Sequence, residues 1–115
     1  MGRRNRQRDK LAAAPAEYRD EDGSLLMLRG SLSPASRRDY AAVLAGGQHR
    51  EDAWQRGVEF LFERLAVSWS IAGVPIERQK ELLGRYRIAS ERERRFVRDC
   101  LRAHLHEHFP ELQAP

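Results

Sequence analysis

One apolar segment, residues 52–72, constrains the fold of this chain more than any other feature. Six of its apolar residues follow the i, i+4, i+7, i+11, i+15, i+18 spacing of one helix face: Trp54, Val58, Leu61, Leu65, Trp69 and Ala72. Other apolar residues of the segment lie elsewhere around the same axis. A helix that is apolar on more than one side is normally surrounded by other elements. We therefore expect residues 52–72 to form a central helix, with both tryptophans in the core or, as the alternative, in a groove for a partner.

Start and stop signals place three further helices around it. Ser33-Pro34 is an N-cap followed by proline at the first helical position, which predicts a helix over residues 34–45. Gly73 is a stop signal and Pro75 a start signal, and together they predict a helix over residues 75–87. Ser90 and Glu93 have the spacing of a capping box, which predicts a helix over residues 91–108.

A short apolar run, residues 24–29, is bounded by turn residues and is the only segment that predicts a strand. Its nearest hairpin partner, residues 17–20, is mostly charged. We therefore expect a mainly α protein, a small bundle of about four helices with one short strand or hairpin near residues 18–29. On this interpretation the strand has an edge without a partner in the chain, which favours contact with another chain.

With 115 residues the chain has the length of one small domain. We expect a disordered basic arm and linker over residues 1–16, a single helical domain over residues 17–110 and a frayed tail over residues 111–115. The arm carries the whole formal net charge of +4, because its five basic residues face one acidic residue and the rest of the chain is neutral. Such an arm suits salt-sensitive attraction to phosphates, and it equally suits a solubilising tail. Its basic residues are Arg3, Arg4, Arg6, Arg8 and Lys10.

The predicted helices 75–87 and 91–108 have the outline of a helix-turn-helix. Four arginines share one side of the second helix: Arg92, Arg95, Arg98 and Arg102. Such a side suits contact with nucleic acid. Glu91 and Asp99 share that side, and their spacing along the helix from Arg95 and Arg102 allows ion pairs. A solvated face joined by ion pairs is therefore the competing interpretation.

Cys100, His104 and His108 are spaced four residues apart and lie one above the other on the same predicted helix. A thiolate with two imidazoles suits zinc. The three residues also fall on the apolar side of the helix, where a cysteine is a good core residue. We therefore expect core packing and no metal ligand set, although the sequence leaves metal binding by these residues open.

The chain contains no nucleophile elbow, phosphate loop, dinucleotide fingerprint or H-E-x-x-H motif. We therefore expect no enzyme, no catalytic residue, no cofactor and no small-molecule substrate. A single cysteine and the lack of an apolar membrane span or signal peptide favour a cytoplasmic protein without a membrane partner.

The segment DGSLLMLRGSLSPASRRDYAAVL, residues 22–45, resembles the small helical tail assembly chaperones of phages. Those proteins open with a short strand and turn, followed by a helix that starts at Ser or Thr. The resemblance implies a helical protein that assists assembly through a protein partner, and it transfers no functional residue to this chain.

Three functions follow as expectations. The first is a non-enzymatic interaction protein, an adaptor or assembly factor that binds a protein partner or itself through helix surfaces. The second is a small nucleic-acid-binding protein that uses the basic arm and the arginine-faced helix. The third is a protein similar to the tail assembly chaperones.

Overall fold

The computed structural model describes residues 13–46 and 49–115, which form an α+β fold in which a sheet packs against helices. The expected mainly α bundle is therefore wrong. Along the chain the elements are β1 (Ala13–Arg19), β2 (Leu25–Gly30), α1 (Pro34–Ala45), α2 (Arg50–Leu65), β3 (Ala66–Ile71), β4 (Val74–Ile76), α3 (Gln79–Arg87) and α4 (Glu91–His108).

The four strands form one antiparallel sheet in the order β1-β2-β3-β4. The register aligns one row of side chains across all four strands: Tyr18, Leu26, Trp69 and Ile76. Leu26 and Trp69 are buried and the other two are half-buried. Because residues on alternate strand positions point to opposite faces, this row belongs to the face covered by helices.

The largest departure from expectation is the segment 52–72, which is not one helix. Helix α2 ends at Leu65, and the chain continues at once as β3. Residues 67–71 alternate between apolar residues and serine, which is the period of a strand, and Val67 and Ile71 are β-branched. Trp69 lies four residues after Leu65 and therefore fits the helical spacing as well. Both periods match this stretch, and pairing with β2 favours the strand.

The expected helix over residues 75–87 is also corrected, because Gly73 and Pro75 belong to a hairpin. Ala72 and Gly73 have φ values of 52° and 80°, and positive φ at both central residues is the mark of a type I′ turn between strands. Pro75 lies in the edge strand β4, where a missing N–H is tolerated. The helix begins only at Gln79.

The strand expected near residues 24–29 is present as β2, but its edges are not free. It pairs with β1 on one side and with β3 on the other. The partner β3 lies 36 to 46 positions away along the chain and was assigned to a helix by its spacing. The argument for a protein partner from an unpaired strand therefore no longer holds.

Two helices have the bounds that their caps predict. Helix α1 covers residues 34–45, and the Ser33 hydroxyl accepts a hydrogen bond from the Ser36 N–H at 3.1 Å. Helix α4 covers residues 91–108, and its capping box is complete: the Ser90 N–H donates to Glu93 Oε1 at 2.8 Å and the Glu93 N–H donates to Ser90 Oγ at 3.1 Å. Local hydrogen bonds decide these helix starts, so they can be read from the sequence.

The core lies between the sheet and the helices. Helix α2 contributes its buried apolar side chains, as expected of the central helix, and α4 adds a second buried stripe; the buried members are Val58, Leu61, Phe62 and Leu65 of α2 and Val97, Cys100, Leu101 and Leu105 of α4. Trp69 is buried as expected, although it is on β3, whereas Trp54 is 37% exposed and not in the core.

Both ends of the described chain pack closely on this body. Residues 13–16, expected in the linker, belong to β1. In the segment 111–115, expected to fray, Leu112 packs against the core and Pro115 is buried. The Tyr40 hydroxyl donates to the Gln113 carbonyl oxygen at 2.5 Å. Within the described ranges, no helix has the length and apolar character needed to cross a membrane.

Candidate functional site

The most distinctive surface of the molecule is a concave groove of about 670 Å³ between α2 and α4, closed at one end by the last residues of α3. Six arginines line it: Arg50, Arg87, Arg94, Arg95, Arg98 and Arg102. Three glutamates and two aromatic residues share the groove: Glu51, Glu59, Glu91, Trp54 and Tyr86. We call this surface the arginine groove.

Helix α4 supplies most of the positive charge through one stripe. Arg94, Arg98 and Arg102 are each four residues apart, and Arg95 lies three residues before Arg98. Residues three and four apart lie on the same face of a helix, so the four arginines line one recess. The opposite side of α4 is buried in the core, which fixes the rotation of the stripe toward α2.

One wall of the groove is held by a hydrogen-bonded chain. The Arg87 guanidinium donates from Nε and Nη2 to Glu59 Oε1 at 3.1 and 2.5 Å, and these bonds with Glu59 raise the pKa of Arg87. Arg94 Nη2 donates to the Arg87 carbonyl oxygen at 2.5 Å. The Arg94 guanidinium also lies 5.7 Å from the centre of the Tyr86 ring, a cation–π distance. Arg87 and Arg94 are thus joined to each other and to α2 by surface contacts.

The groove keeps an excess of positive charge after its internal ion pairs are formed. Glu59 is paired with Arg87, and Glu91 lies 3.7 Å from Arg95, the ion pair that the sequence predicts. Within residues 13–46 and 49–115, no Asp or Glu carboxylate lies in ion-pair contact with the remaining four arginines: Arg50, Arg94, Arg98 and Arg102. Arg102 donates from Nε to the main-chain oxygen of Pro115 at 2.8 Å, which partly engages its guanidinium. The expected Asp99–Arg102 pair is absent from these ranges.

The structure brings together three of the four arginines that the sequence predicts on this helix. Arg95, Arg98 and Arg102 line the groove. Arg92 does not: its guanidinium points to the β1–β2 turn, 3.4 Å from an Asp22 carboxylate oxygen and 3.7 Å from one of Glu21. The five basic residues of the arm, Arg3, Arg4, Arg6, Arg8 and Lys10, lie outside the described residues.

Sequence reasoning missed Arg94, Arg50 and Arg87 as groove residues. Arg94 had a local signal, because it begins the four-residue spacing that continues through Arg98 and Arg102. The others lie on α2 and at the end of α3, and only the packing of these helices against α4 brings them to the groove.

A second cluster, Cys100, His104 and His108, lies on the opposite side of α4. His104 is completely buried, and both ring nitrogens have protein partners: Nε2 is 2.6 Å from the Arg29 carbonyl oxygen and Nδ1 is 2.9 Å from the Tyr18 hydroxyl. A carbonyl oxygen can only accept, so Nε2 carries the proton, and in neutral His104 the Nδ1 atom accepts from Tyr18. Burial lowers the pKa of His104 and raises the pKa of Tyr18 to about 12.

This arrangement makes the cluster part of the core. Neither nitrogen of His104 is available to a metal unless a hydrogen bond breaks, and the described residues contain no group of three or more His, Cys, Asp or Glu side chains placed to hold a metal ion. Burial raises the pKa of the Cys100 thiol to about 12, which disfavours the thiolate that a metal or a nucleophilic reaction needs.

The comparisons with known proteins leave the arginine groove as the main guide to function. The chain matches no protein-family model, no curated protein and no solved structure at a significant level of similarity.

Proposed function

We propose that this protein is a non-enzymatic nucleic-acid-binding protein that holds the phosphate backbone in the arginine groove. The observation that carries the proposal is the convergence of six arginines from three helices on one recess that also contains an exposed tryptophan. Arginine presents a planar set of donors that matches phosphate oxygens, and it retains its charge at any physiological pH.

The charge distribution supports a polyanion as the ligand. The arginines of the groove outnumber its glutamates by six to three, although the whole chain has a net charge of only +4. Two of the glutamates already contact arginines within the groove. A ligand that brings several phosphates would therefore meet arginines that the packing of α2, α3 and α4 brings to one recess.

A binding role rather than a catalytic one is favoured by the state of the two residues best suited to chemistry. The Cys100 thiol is buried with a raised pKa, and both nitrogens of the His104 ring are engaged by Tyr18 and Arg29. Both side chains face the core, away from the groove.

A test measures the salt dependence of binding to labelled oligonucleotides by fluorescence anisotropy. Each phosphate contact contributes about 0.7 to 0.9 to the slope of log K against log salt. Arg98→Ala removes a central guanidinium of the groove, and we expect a several-fold loss of affinity with a slope lowered by about one contact. The matched control is Arg38→Ala, because Arg38 is an exposed arginine of α1 that does not line the groove.

Equal effects of Arg98→Ala and Arg38→Ala would contradict the proposal, and so would a lack of binding at low salt. A second set of measurements uses a labelled acidic peptide in place of the oligonucleotide. Tighter binding of that peptide than of any oligonucleotide, lost in Arg98→Ala, would assign the groove to a protein partner, as the adaptor and assembly-factor interpretations expect.

A further inference from the structure

We propose that the arginine groove binds single-stranded nucleic acid, with one base stacked on the exposed face of Trp54. The inference rests on the proposed function and specifies the form of nucleic acid that it concerns.

The shape of the groove favours a single strand over a duplex. An element that reads the bases of duplex DNA directly usually projects into the major groove, which is about 12 Å wide. The arginine stripe of α4 does not project, because it faces α2 across a recess of about 670 Å³. A recess of this volume is the size that proteins use for small organic ligands, on the order of 300–1,000 Å³. A single strand can place one or a few nucleotides in this recess, whereas a duplex is too wide to enter it.

The exposure of Trp54 in the groove is the second observation that favours a single strand. The apolar side chains that follow it on the same helix face, Val58 and Leu61, are buried, whereas Trp54 is 37% exposed and lies in the groove. Tyr86 is only 9% exposed, and Arg94 already lies over its ring. Trp54 is therefore the aromatic surface of the groove that remains open to a ligand.

The position of Trp54 among the arginines fits a nucleotide. Arg50 precedes it by one helical turn on α2, and the arginine stripe of α4 lines the same recess. Proteins that bind single strands combine such a positive groove for phosphates with aromatic side chains on which bases stack. Duplex DNA keeps its bases stacked on one another and offers none to Trp54.

The main experiment compares Trp54→Leu with the unchanged protein, using a labelled oligothymidylate, a labelled oligouridylate and a labelled hairpin duplex. We expect the unchanged protein to prefer a single strand over the duplex. In Trp54→Leu we expect affinity for single strands to fall by on the order of tenfold, with little change for the duplex, and Trp54→Phe to restore most of the loss. The two single-stranded probes distinguish DNA from RNA. The control is Val74→Ala, because Val74 is an exposed apolar residue outside the groove.

An independent measurement of base stacking uses the intrinsic fluorescence of Trp54. The chain has two tryptophans, and Trp69 is buried, so Trp69→Phe leaves Trp54 as the only source of tryptophan emission. Stacking of a base on Trp54 is expected to quench this emission on titration with oligothymidylate. Should Trp69→Phe fail to fold, the anisotropy series with Trp54→Leu still decides the question.

The outcomes separate the two proposals. Binding to all probes with equal affinity, unaffected by Trp54→Leu, overturns the single-strand inference while the groove remains a nucleic-acid site. Loss of binding in Arg98→Ala together with a preference for the duplex also overturns the single-strand inference and leaves the groove as a nucleic-acid site. Binding to none of the probes overturns both.

Discussion

His104 shows at the scale of one residue how a polar side chain becomes part of a core. Its ring joins three elements, because α4 carries it, β1 supplies the Tyr18 hydroxyl and β2 supplies the Arg29 carbonyl oxygen. A buried polar group without partners costs about 1–3 kcal/mol, and these two bonds offset that cost for the His104 ring. Among the groups around it, burial and His108 lower the pKa of His104, while Glu107 and the bond to Arg29 raise it.

The lowered pKa predicts a loss of stability in mild acid. Below the ordinary histidine pKa of about 6.5 the unfolded chain binds a proton at His104 that the folded protein resists. The free energy of unfolding therefore falls as the pH decreases below about 6.5, by at most about 1.4 kcal/mol per pH unit from this group. Urea denaturation of the unchanged protein at pH 7.5 and at pH 5.5 measures the difference.

Variants at two positions of α4 test whether His104 causes this pH dependence of stability. His104→Gln removes the titrating ring, so we expect lower stability at pH 7.5 and a smaller loss on going to pH 5.5. His106→Gln is the matched control, because His106 is exposed on the same helix, and it should leave both values unchanged. An equal pH dependence in His104→Gln and the unchanged protein would contradict the assignment.

The sequence placed Cys100, His104 and His108 on one side of a helix but left core packing and metal binding both open. The deciding groups, Tyr18 and the Arg29 carbonyl, lie at least 75 positions away along the chain. No local pattern relates them to His104, because their contact depends on where α4 crosses the sheet.

At the scale of the element, glycines show how backbone conformation sets the effect of a methyl group. Gly73 in the β3–β4 turn and Gly84 in α3 both have open space where a side chain would begin, with no atom within 4 Å of an added Cβ. Gly73 has a φ of 80°, in the left-handed region, whereas Gly84 lies within a helix. The backbone alone therefore determines the sign of each substitution.

We predict opposite results for two identical substitutions. Gly84→Ala should raise the free energy of unfolding by about 0.5–1 kcal/mol, because alanine favours the helix. Gly73→Ala should lower it by about 1–2 kcal/mol, because an L residue is strained at positive φ. Chemical denaturation of both variants checks the signs, and a stabilising Gly73→Ala would mean that the β3–β4 turn is not as described.

The scale of the element also explains which helices and strands could be predicted from the sequence. Helices α1 and α4 start at capping residues whose hydrogen bonds reach no further than three residues, so their first residues follow from the sequence. The chain after Leu65 matches the helical period and the strand period alike. It becomes a strand because β2 offers backbone partners from Leu25 to Leu28, a contact that no short window of sequence contains.

For the whole molecule, the edges of the sheet bear on self-association. The outer strands β1 and β4 each contain a proline, Pro15 and Pro75, and β4 is only three residues long. Proline on an edge strand resists pairing with another chain, and so does a short edge strand such as β4. The large exposed apolar side chains of the described residues lie in different parts of the chain: Trp54 on α2, Val74 on β4 and Ile88 after the end of α3.

We therefore predict a monomer of 13.3 kDa in the absence of ligand. Size-exclusion chromatography with light scattering measures the mass across a range of concentrations. A stable dimer would contradict this prediction and would favour the expected interaction function in its self-associating form. A dimer that forms only with oligonucleotide would instead reflect two proteins on one strand.

What the sequence determined by itself is what depends on neighbours along the chain: the starts of α1 and α4, the apolar side of α2, the strand β2 and the shared face of Arg95, Arg98 and Arg102. The tertiary structure decided the sheet, the burial of His104 and the arginine groove. Each of these joins segments far apart in sequence, such as β2 with β3 or Arg50 with Arg98. Local hydrogen bonds and helical spacing act over a few residues, whereas strand pairing and groove formation depend on how whole elements pack.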